Sequence, residues 1–314
     1  MSDLSYLQAV VIGALQGVTE LFPVSSLGHS VLVPALVGGS WKHLVTESST
    51  GSSEASPYLA FVVALHVATA IALLVFYRRD WVRIIGAFVH TLRTRRVETS
   101  AERLAWLIVL ATIPVGVTGL LLEHTFRTIF AKPIFSAAFL TVNGLILLAG
   151  ERLRRDAQRR TGAAADDSRG TAAPAAPRGG GLAVAQHRSL DALAYREAGI
   201  VGLFQTLALF AGISRSGVTM VAGLLRGLDH EDAAKFSFLL ATPVILAAGV
   251  LKLPTLAGAG GEHIHGQVLA GSVVAGVAAY LSVRFLTRYF ATRTLTPFAI
   301  YCLVAGVVCL VRFA

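Results

Sequence analysis

Glu20 and Arg215 are the two charged residues that stand well inside apolar segments of the sequence, and they are the first candidates for chemistry. A charged side chain at the centre of a bilayer costs roughly 2.5–3.5 kcal/mol on insertion scales, so such residues usually pair, line a water-filled cavity or serve function. A structural ion pair, or a helix-end residue that reaches the membrane surface, is the plain alternative. The polar residues around both positions favour a functional site.

Gln16 precedes Glu20 by four residues. On a helix the two side chains share one face, so together they could hold a divalent cation or a water molecule. Two oxygen ligands are few for a metal site, and the alternative is that Gln16 hydrogen-bonds a neighbouring helix. We take Gln16 and Glu20 as the candidate metal ligands.

Hydroxyl groups cluster at two polar breaks in the apolar sequence, at residues 23–29 and 212–217. Pro23 ends one helical segment, and the serines that follow it are natural N-caps for the next. A half-helix that starts inside the membrane directs free backbone N–H groups and its positive dipole end at one point, which is an anion site. The guanidinium of Arg215 adds a fork that matches phosphate oxygens. The candidate phosphate-binding residues are Ser25, Ser214, Arg215, Ser216, Gly217 and Thr219.

The residue types at these breaks also have plainer explanations. Ser25, Ser214 and Gly217 would serve as well to cap a helix or to turn the chain. His29 is a candidate proton donor or acceptor, because imidazole titrates near neutral pH and because it follows a hydroxyl pair that could supply a nucleophile. A lone membrane histidine can equally be a packing residue, and His66, in an uninterrupted apolar stretch, is given only an indirect role.

The composition identifies the elements that must position these residues. With 54% apolar and 14% charged residues and a mean hydropathy of +0.67, the chain is neither a water-soluble domain nor disordered over most of its length. Two apolar regions, 4–36 and 198–225, are interrupted by the polar breaks and predict re-entrant hairpins of two half-helices. Six further stretches approach the length of a membrane span: 57–77, 104–122, 133–150, 236–253, 267–283 and 295–310. The predicted fold is therefore an all-α polytopic membrane protein with six transmembrane helices and two re-entrant helical hairpins.

The two hairpins form a weak internal repeat. A shift of 189 residues superposes Gln16 on Gln205, Gly13 on Gly202, Ser25 on Ser214, Gly28 on Gly217 and Ser30 on Thr219. The predicted topology inserts the hairpins from opposite faces of the membrane, which is how an inverted-topology repeat builds a site at the bilayer midplane.

Cation placement predicts the orientation. Most of the 27 Lys and Arg residues fall between the first two spans, after the third span, after the second hairpin and between the last two spans. The positive-inside rule makes that side cytoplasmic, so both termini face outward and the net charge of +9 indicates membrane topology rather than nucleic-acid binding. The chain is then one integral membrane domain, 1–314, with a flexible cytoplasmic loop at 155–190, where small, polar, Pro and Gly residues prevail.

Two motifs resemble those of a known family. Gln16-x-x-x-Glu20 followed by Pro23-Val-Ser-Ser-Leu-Gly-His29, together with Gly212-Ile-Ser-Arg-Ser-Gly-Val-Thr219, resembles the undecaprenyl pyrophosphate phosphatase family, also called the bacitracin-resistance family. The resemblance runs over nearly the whole chain. Ala211 stands where the family motif usually has proline, which weakens the turn but removes no reactive group.

The resemblance implies an activity and a role for each matched residue. The implied reaction converts undecaprenyl diphosphate, the cell-wall lipid carrier, to undecaprenyl phosphate at the outer face of the bacterial plasma membrane, with Mg²⁺ or Ca²⁺. Glu20 would be the essential carboxylate, Ser26 the nucleophile and His29 an acid or base. Arg215 would clamp the phosphate with help from Ser214, Ser216 and Thr219.

Alternatives remain at two levels. Either Ser26 attacks the phosphate and forms a phosphoserine, or Glu20 activates a water molecule. A lipid-phosphate transporter or flippase is the rival function, because inverted repeats with broken helices are typical of transporters. The expected partners are the isoprenyl diphosphate substrate and membrane lipids, without nucleic acid, and a homodimer is left open.

Overall fold

The fold is all-helical over the described part of the chain. A computed structural model describes residues 4–41, 57–130, 132–169, 189–252 and 264–314. In these ranges there are eleven α-helices, two short 3₁₀ turns at Leu190–Ala192 and Leu207–Leu209, and no β-strand. The helices are α1 (Tyr6–Thr19), α2 (Ser26–Val37), α3 (Pro57–Phe76), α4 (Arg78–Thr94), α5 (Ser100–Phe130), α6 (Pro133–Arg169), α7 (Tyr195–Thr206), α8 (Arg215–Leu225), α9 (His230–Lys252), α10 (His265–Phe290) and α11 (Thr296–Phe313).

Several of these helices are long and apolar enough to cross a bilayer. Among the described residues, five meet this condition by length and composition, namely α5, α6, α9, α10 and α11. Helices α3 and α4 meet it only as a pair, and they are bent by 88° at the junction. The predicted all-α, multi-pass membrane character is confirmed. The finer arrangement of six spans and two re-entrant hairpins stays a prediction.

Both polar breaks separate two short helices. Helix α1 begins after Ser5, whose side chain forms a capping box with Gln8, and it ends just before Glu20. Ser25 is the N-cap of α2, and its hydroxyl accepts a hydrogen bond from the N–H of Gly28 at 3.2 Å. In the second pair, Ser214 caps α8 and accepts from the N–H of Gly217, also at 3.2 Å. The two breaks thus start their second helices in the same way.

Glycines let the first helix of each pair approach a long helix closely. A Cβ atom on Gly13 of α1 would collide with the carbonyl group of Gly271 in α10. A Cβ atom on Gly202 of α7 would collide in the same manner with the carbonyl group of Ala111 in α5. Small residues at such contacts allow two backbones to pack together in a membrane. Gly13 and Gly202 are superposed by the shift of 189 residues, so the repeat has a structural counterpart here.

Two segments differ from a simple connection between spans. The arginine-rich segment after the first predicted span forms helix α4, which packs against Trp106 of α5. Helix α6 continues to Arg169, beyond residue 155 where the flexible loop was predicted to begin. Residues 170–188 of that loop lie outside the described residues, and its flexibility and cytoplasmic location stay predictions.

Candidate active site

A cavity of about 260 Å³ lies between the two polar breaks and the helices α3, α5 and α9. Its polar end is formed by Glu20 and the three residues in contact with it, Ser26, His66 and Arg215. Ser25, Gln205 and Ser214 are further polar residues of the lining. Its other walls are apolar and include Val62, Val63, Val115, Leu209, Val244 and Ile245. A charged head and an apolar tail would each find a matching surface in this cavity.

Glu20 and Arg215 are in direct contact at the polar end of the cavity. The Arg215 Nη2 atom donates to the Glu20 Oε1 atom at 3.0 Å, and the side chains are 11% and 6% exposed. The Nη1 atom of the same guanidinium donates to the carbonyl of Ser237 in α9 at 3.2 Å. A buried ion pair rarely gains much net stability over apolar packing, so this contact adds little to folding by itself. Its role in function stays a prediction.

Ser26 presents its hydroxyl to the same carboxylate. The Ser26 Oγ atom donates to Glu20 Oε2 at 2.5 Å, and both residues are buried. Ser26 is the first residue of α2, so its hydroxyl also lies beside the N–H groups of a helix start. A hydroxyl directed at a carboxylate is the arrangement of a nucleophile with its general base.

Gln16 supports the carboxylate from one turn earlier in α1. Its Nε2 atom donates to Glu20 Oε2 at 3.1 Å. Its Oε1 atom is buried and has no hydrogen-bond partner among the described residues. A buried oxygen without a partner calls for an explanation, because such atoms are normally satisfied. Beside a carboxylate, it is a ready ligand for a hard cation.

His66 is the histidine that lies in the cavity. Its Nδ1 atom lies 2.8 Å from the carbonyl of Val62, so Nδ1 carries the hydrogen and donates it. Its Nε2 atom lies 3.4 Å from Glu20 Oε2. The sequence analysis assigned His66 only an indirect role, although a polar residue in the middle of an apolar span is itself a signal of function.

His29 is turned away from the cavity lining. Its Nδ1 atom donates to the carbonyl of Ser25 at 2.7 Å, and its Nε2 atom lies 2.7 Å from the hydroxyl of Tyr301 in α11. The two rings also stack, with centroids 5.8 Å apart. These contacts hold α2 against α11. The role of His29 as an acid or base stays a prediction, and the geometry gives it a positioning role.

The remaining residues of the second motif fix the start of α8. Ser216 Oγ donates to the carbonyl of Phe22 at 3.2 Å, and Thr219 Oγ1 lies 2.6 Å from Ser237 Oγ. Gly217 is packed so tightly that an added Cβ would lie 3.0 Å from a Leu147 methyl carbon. These three residues are not part of the cavity lining given above, so their predicted phosphate contacts stay predictions.

Ser25 joins the two polar breaks and has an unusual backbone conformation. Its φ of 71° and ψ of 102° are rare for a residue with a side chain and cost strain energy. Its Oγ atom accepts a second hydrogen bond, from the N–H of Gly212 at 3.2 Å. Gly28 and Gly212 lie so close that a Cβ on Gly28 would be 2.9 Å from the Gly212 Cα. The strain is thus maintained by contacts between the two breaks.

Asn143 of α6 makes a second connection between the breaks. Its Nδ2 atom donates to the carbonyl of Pro23 at 3.0 Å, and its Oδ1 atom accepts from the N–H of Ser214 at 2.9 Å. The side chain is fully buried. The sequence analysis did not single out Asn143, although an amide in the middle of a predicted span is costly without such partners.

Gln205 is a further cavity residue that the sequence analysis used only in the repeat. It is fully buried, and its Oε1 atom has no hydrogen-bond partner among the described residues. Its Nε2 atom makes a long hydrogen bond of 3.5 Å to the carbonyl of Ala111. Gln16 and Gln205, which the shift of 189 residues superposes, therefore both have a buried amide oxygen without a partner among the described residues. Gln205 lines the cavity, and Gln16 contacts the lining residue Glu20.

Comparison with known sequences identifies the family. Residues 9–308 match the profile of the family described as Bacitracin resistance protein BacA. The chain belongs to this family. The resemblance first seen in two motifs is thereby confirmed over nearly the full length.

Relatives named undecaprenyl-diphosphatase are similar to this chain over nearly their whole length. Undecaprenyl-diphosphatase 2 of Frankia alni is 68% identical over 342 residues, with 100% of this chain and 99% of the relative covered. Undecaprenyl-diphosphatase of Mycolicibacterium paratuberculosis is 60% identical over 313 residues, with the same coverage. Undecaprenyl-diphosphatase 1 of Frankia casuarinae is 51% identical over 372 residues, again with 100% and 99% covered.

Proposed function

We propose that this protein is an undecaprenyl-diphosphate phosphatase of the plasma membrane. It removes the terminal phosphate of undecaprenyl diphosphate and releases undecaprenyl phosphate and inorganic phosphate, which recycles the cell-wall lipid carrier. Family membership and the full-length similarity to enzymes of this name support the activity. The structural observation that carries the proposal is the Glu20 carboxylate, which contacts both the Ser26 hydroxyl and the Arg215 guanidinium.

The diphosphate binds at the polar end of the cavity, and the first isoprene units lie against its apolar walls. Arg215 and the N-terminal N–H groups of α2 and α8 supply positive charge and hydrogen-bond donors for phosphate. The guanidinium also offsets the negative charge of Glu20, which would otherwise repel the substrate. Positioning and charge stabilisation are the main requirements of phosphoryl transfer, and these groups meet both.

Ser26 is the nucleophile in this proposal, because its Oγ atom is already hydrogen-bonded to a base. Ser26 Oγ attacks the terminal phosphorus while its proton passes to Glu20. The bond from that phosphorus to the bridging oxygen breaks, and the lipid monophosphate leaves with the proton from Glu20. Water then attacks the phosphoserine, gives its proton to Glu20, and the Ser26 oxygen leaves and regains a proton from Glu20.

A divalent cation fits the oxygen atoms next to the cavity. The Glu20 carboxylate and the unpartnered Gln16 Oε1 atom would hold it, since Mg²⁺ and Ca²⁺ take oxygen ligands and Mg²⁺ keeps several waters. When bound, it would neutralise phosphate charge and polarise phosphorus–oxygen bonds.

The site opens to the extracytoplasmic side in this proposal, with six spans, two re-entrant hairpins in inverted topology and both termini outside. The paired caps at Ser25 and Ser214 and the paired close contacts at Gly13 and Gly202 support the repeat. The distribution of arginines supports the orientation.

The activity is tested by measuring phosphate release from undecaprenyl diphosphate by the purified protein in detergent. We expect release by the wild type and by Ser30→Ala, a matched hydroxyl in the first turns of α2, and a loss of about 100-fold or more with Ser26→Ala. Absence of release by the folded wild type would refute the phosphatase proposal and favour a transporter. Substantial turnover by Ser26→Ala would instead favour attack by water activated by Glu20.

A further inference from the structure

Helix α4 has a row of apolar side chains that faces away from the rest of the protein. Val82, Ile85, Val89 and Leu92 are between 40% and 75% exposed. Their spacing of three and four residues places them on one helical face. We call these four residues the apolar row. Large apolar side chains in such a continuous row indicate contact with a partner or a membrane.

The opposite face of α4 is firmly packed, so the apolar row is not the result of a loosely held helix. The Nε1 atom of Trp106 in α5 donates to Thr91 Oγ1 at 3.1 Å, and its ring lies 5.3 Å from that of Phe88. His90 contacts the Glu102 carboxylate at 2.8 Å. These contacts fix the rotation of α4 about its own axis, and with it the direction of the apolar row.

Arginines line one edge of the apolar row. Arg79, Arg83 and Arg93 are exposed and follow the row at the next positions around the helix, although Arg83 also lies 3.5 Å from the Asp80 carboxylate. Long cationic side chains beside an apolar face are typical of helices that lie in the interface of a membrane, where the arginines reach the lipid headgroups.

The angle between α3 and α4 gives the orientation of this helix. Helix α3 has 20 residues, which at about 1.5 Å per residue corresponds to about 30 Å, the thickness of the hydrocarbon core. Helix α3 meets the condition for a membrane span only together with α4, and the two helices are bent by 88°. If α3 crosses the membrane, this turn directs α4 along the membrane surface. Lys235 of α9 contacts Asp80 at 3.0 Å and ties the start of α4 to a second long helix.

We infer that α4 is an interfacial helix whose apolar row lies at the boundary of headgroups and acyl chains, and whose arginines bind the phosphate groups of anionic lipids. The partner is thus the surface of a bilayer that contains anionic lipid. Its charge complements Arg79 and Arg83, and its apolar layer covers a row that the described helices leave exposed. This inference concerns a surface away from the cavity and stands whether or not the proposed reaction is correct.

The depth of α4 is tested with spin labels in vesicles. Single cysteines at Val82, Ile85 and Val89 are compared with single cysteines at Arg79 and Arg83, in the full-length protein. Wild type taken through the same labelling measures any reaction at the buried Cys302 and Cys309. We expect labels in the row to be several-fold more accessible to oxygen than to a water-soluble nickel complex, and labels at the arginines to show the reverse. Equal accessibility on the two faces would overturn the inference.

The preference of the protein for anionic over neutral lipid tests whether the arginines of α4 bind anionic headgroups. The probes are spin-labelled phosphatidylglycerol and phosphatidylcholine, each added to vesicles of phosphatidylcholine that contain the protein. Replacement of Arg79 and Arg83 by Gln is compared with the same replacement at Arg159 and Arg160, which are exposed on the far extension of α6. We expect the preference for phosphatidylglycerol to fall by at least twofold only in the first variant. An equal fall in both, or in neither, would rule out a specific headgroup contact by α4.

Discussion

The two oxygens of the Glu20 carboxylate serve different partners: Oε1 accepts from Arg215 Nη2 at 3.0 Å, and Oε2 accepts from Ser26 Oγ at 2.5 Å. The carboxylate therefore links the residue that would bind phosphate to the residue that would attack it. A change to any of the three should affect the other two. This coupling underlies the predictions that follow.

Arg215→Lys should lower kcat/KM although the positive charge is kept. Lysine cannot reach Glu20 and the Ser237 carbonyl with one planar fork. The loss of one charge-assisted hydrogen bond, roughly 1.5–3 kcal/mol, predicts a decrease of about 10- to 100-fold. The measurement is phosphate release as a function of substrate concentration. Arg288→Lys, on the exposed side of α10, is the control and should behave as wild type; a fully active Arg215→Lys protein would show that the fork is unnecessary.

His66 and His29 should respond differently to the same substitution. His66→Gln removes the ring beside Glu20 and should lower kcat by about 10-fold with little change in thermal stability. His29→Gln removes the contacts to Ser25 and Tyr301 and should destabilise the protein by about 1–3 kcal/mol. The measurements are kcat and the midpoint of thermal unfolding in detergent. A large loss of kcat at unchanged stability in His29→Gln would instead support an acid or base role for His29.

Asn143→Leu should lower both stability and activity. The change leaves the Pro23 carbonyl and the Ser214 N–H without the partners they have now, at about 1–3 kcal/mol for each buried group. Thr141→Val, in the same helix, is the control, since among the described residues its hydroxyl bonds only to the Ala137 carbonyl one turn earlier. Thermal unfolding and phosphate release are measured side by side. Equal behaviour of the two variants would mean that the connection by Asn143 contributes little.

Gln16→Leu should weaken the affinity for a divalent cation. Loss of one ligand predicts a rise of about 10-fold or more in the dissociation constant for Mg²⁺ or Ca²⁺. Calorimetric titration of each ion into chelator-treated protein measures binding without reliance on activity. Gln8→Leu is a comparison at a buried glutamine near the start of α1. If Gln16→Leu binds the ion as the wild type does, the cation is held elsewhere.

The helix–break–helix pairs and the meeting of Glu20 with Arg215 could be predicted from the sequence. Proline, serine and glycine interrupt otherwise apolar runs, and a charge in an apolar span requires a partner. The sequence predicted that the two residues share a pocket, and they do; their catalytic roles stay predictions.

The choice between the histidines and the course of α4 could not be predicted. His29 and His66 are both histidines in apolar segments, and the sequence does not show that Tyr301 contacts His29 while His66 lines the cavity. In α4 the arginines lower the mean hydropathy of the segment, so an average over its residues does not reveal the apolar row. The 88° turn before α4 occurs at Tyr77, where no proline or glycine in the sequence predicts a turn.

The hydrogen bonds of Asn143 to Pro23 and Ser214 also bear on whether this architecture can carry a lipid from one leaflet to the other. Alternating access requires the two halves of a binding site to rock apart, and here such rocking would break at least one of these two bonds of a fully buried side chain. A chemical step needs only small displacements of a few atoms. The two hydrogen bonds of Asn143 then hold the residues of the two breaks in fixed relative positions. This connection is more compatible with a rigid catalytic site than with a transporter that works by alternating access.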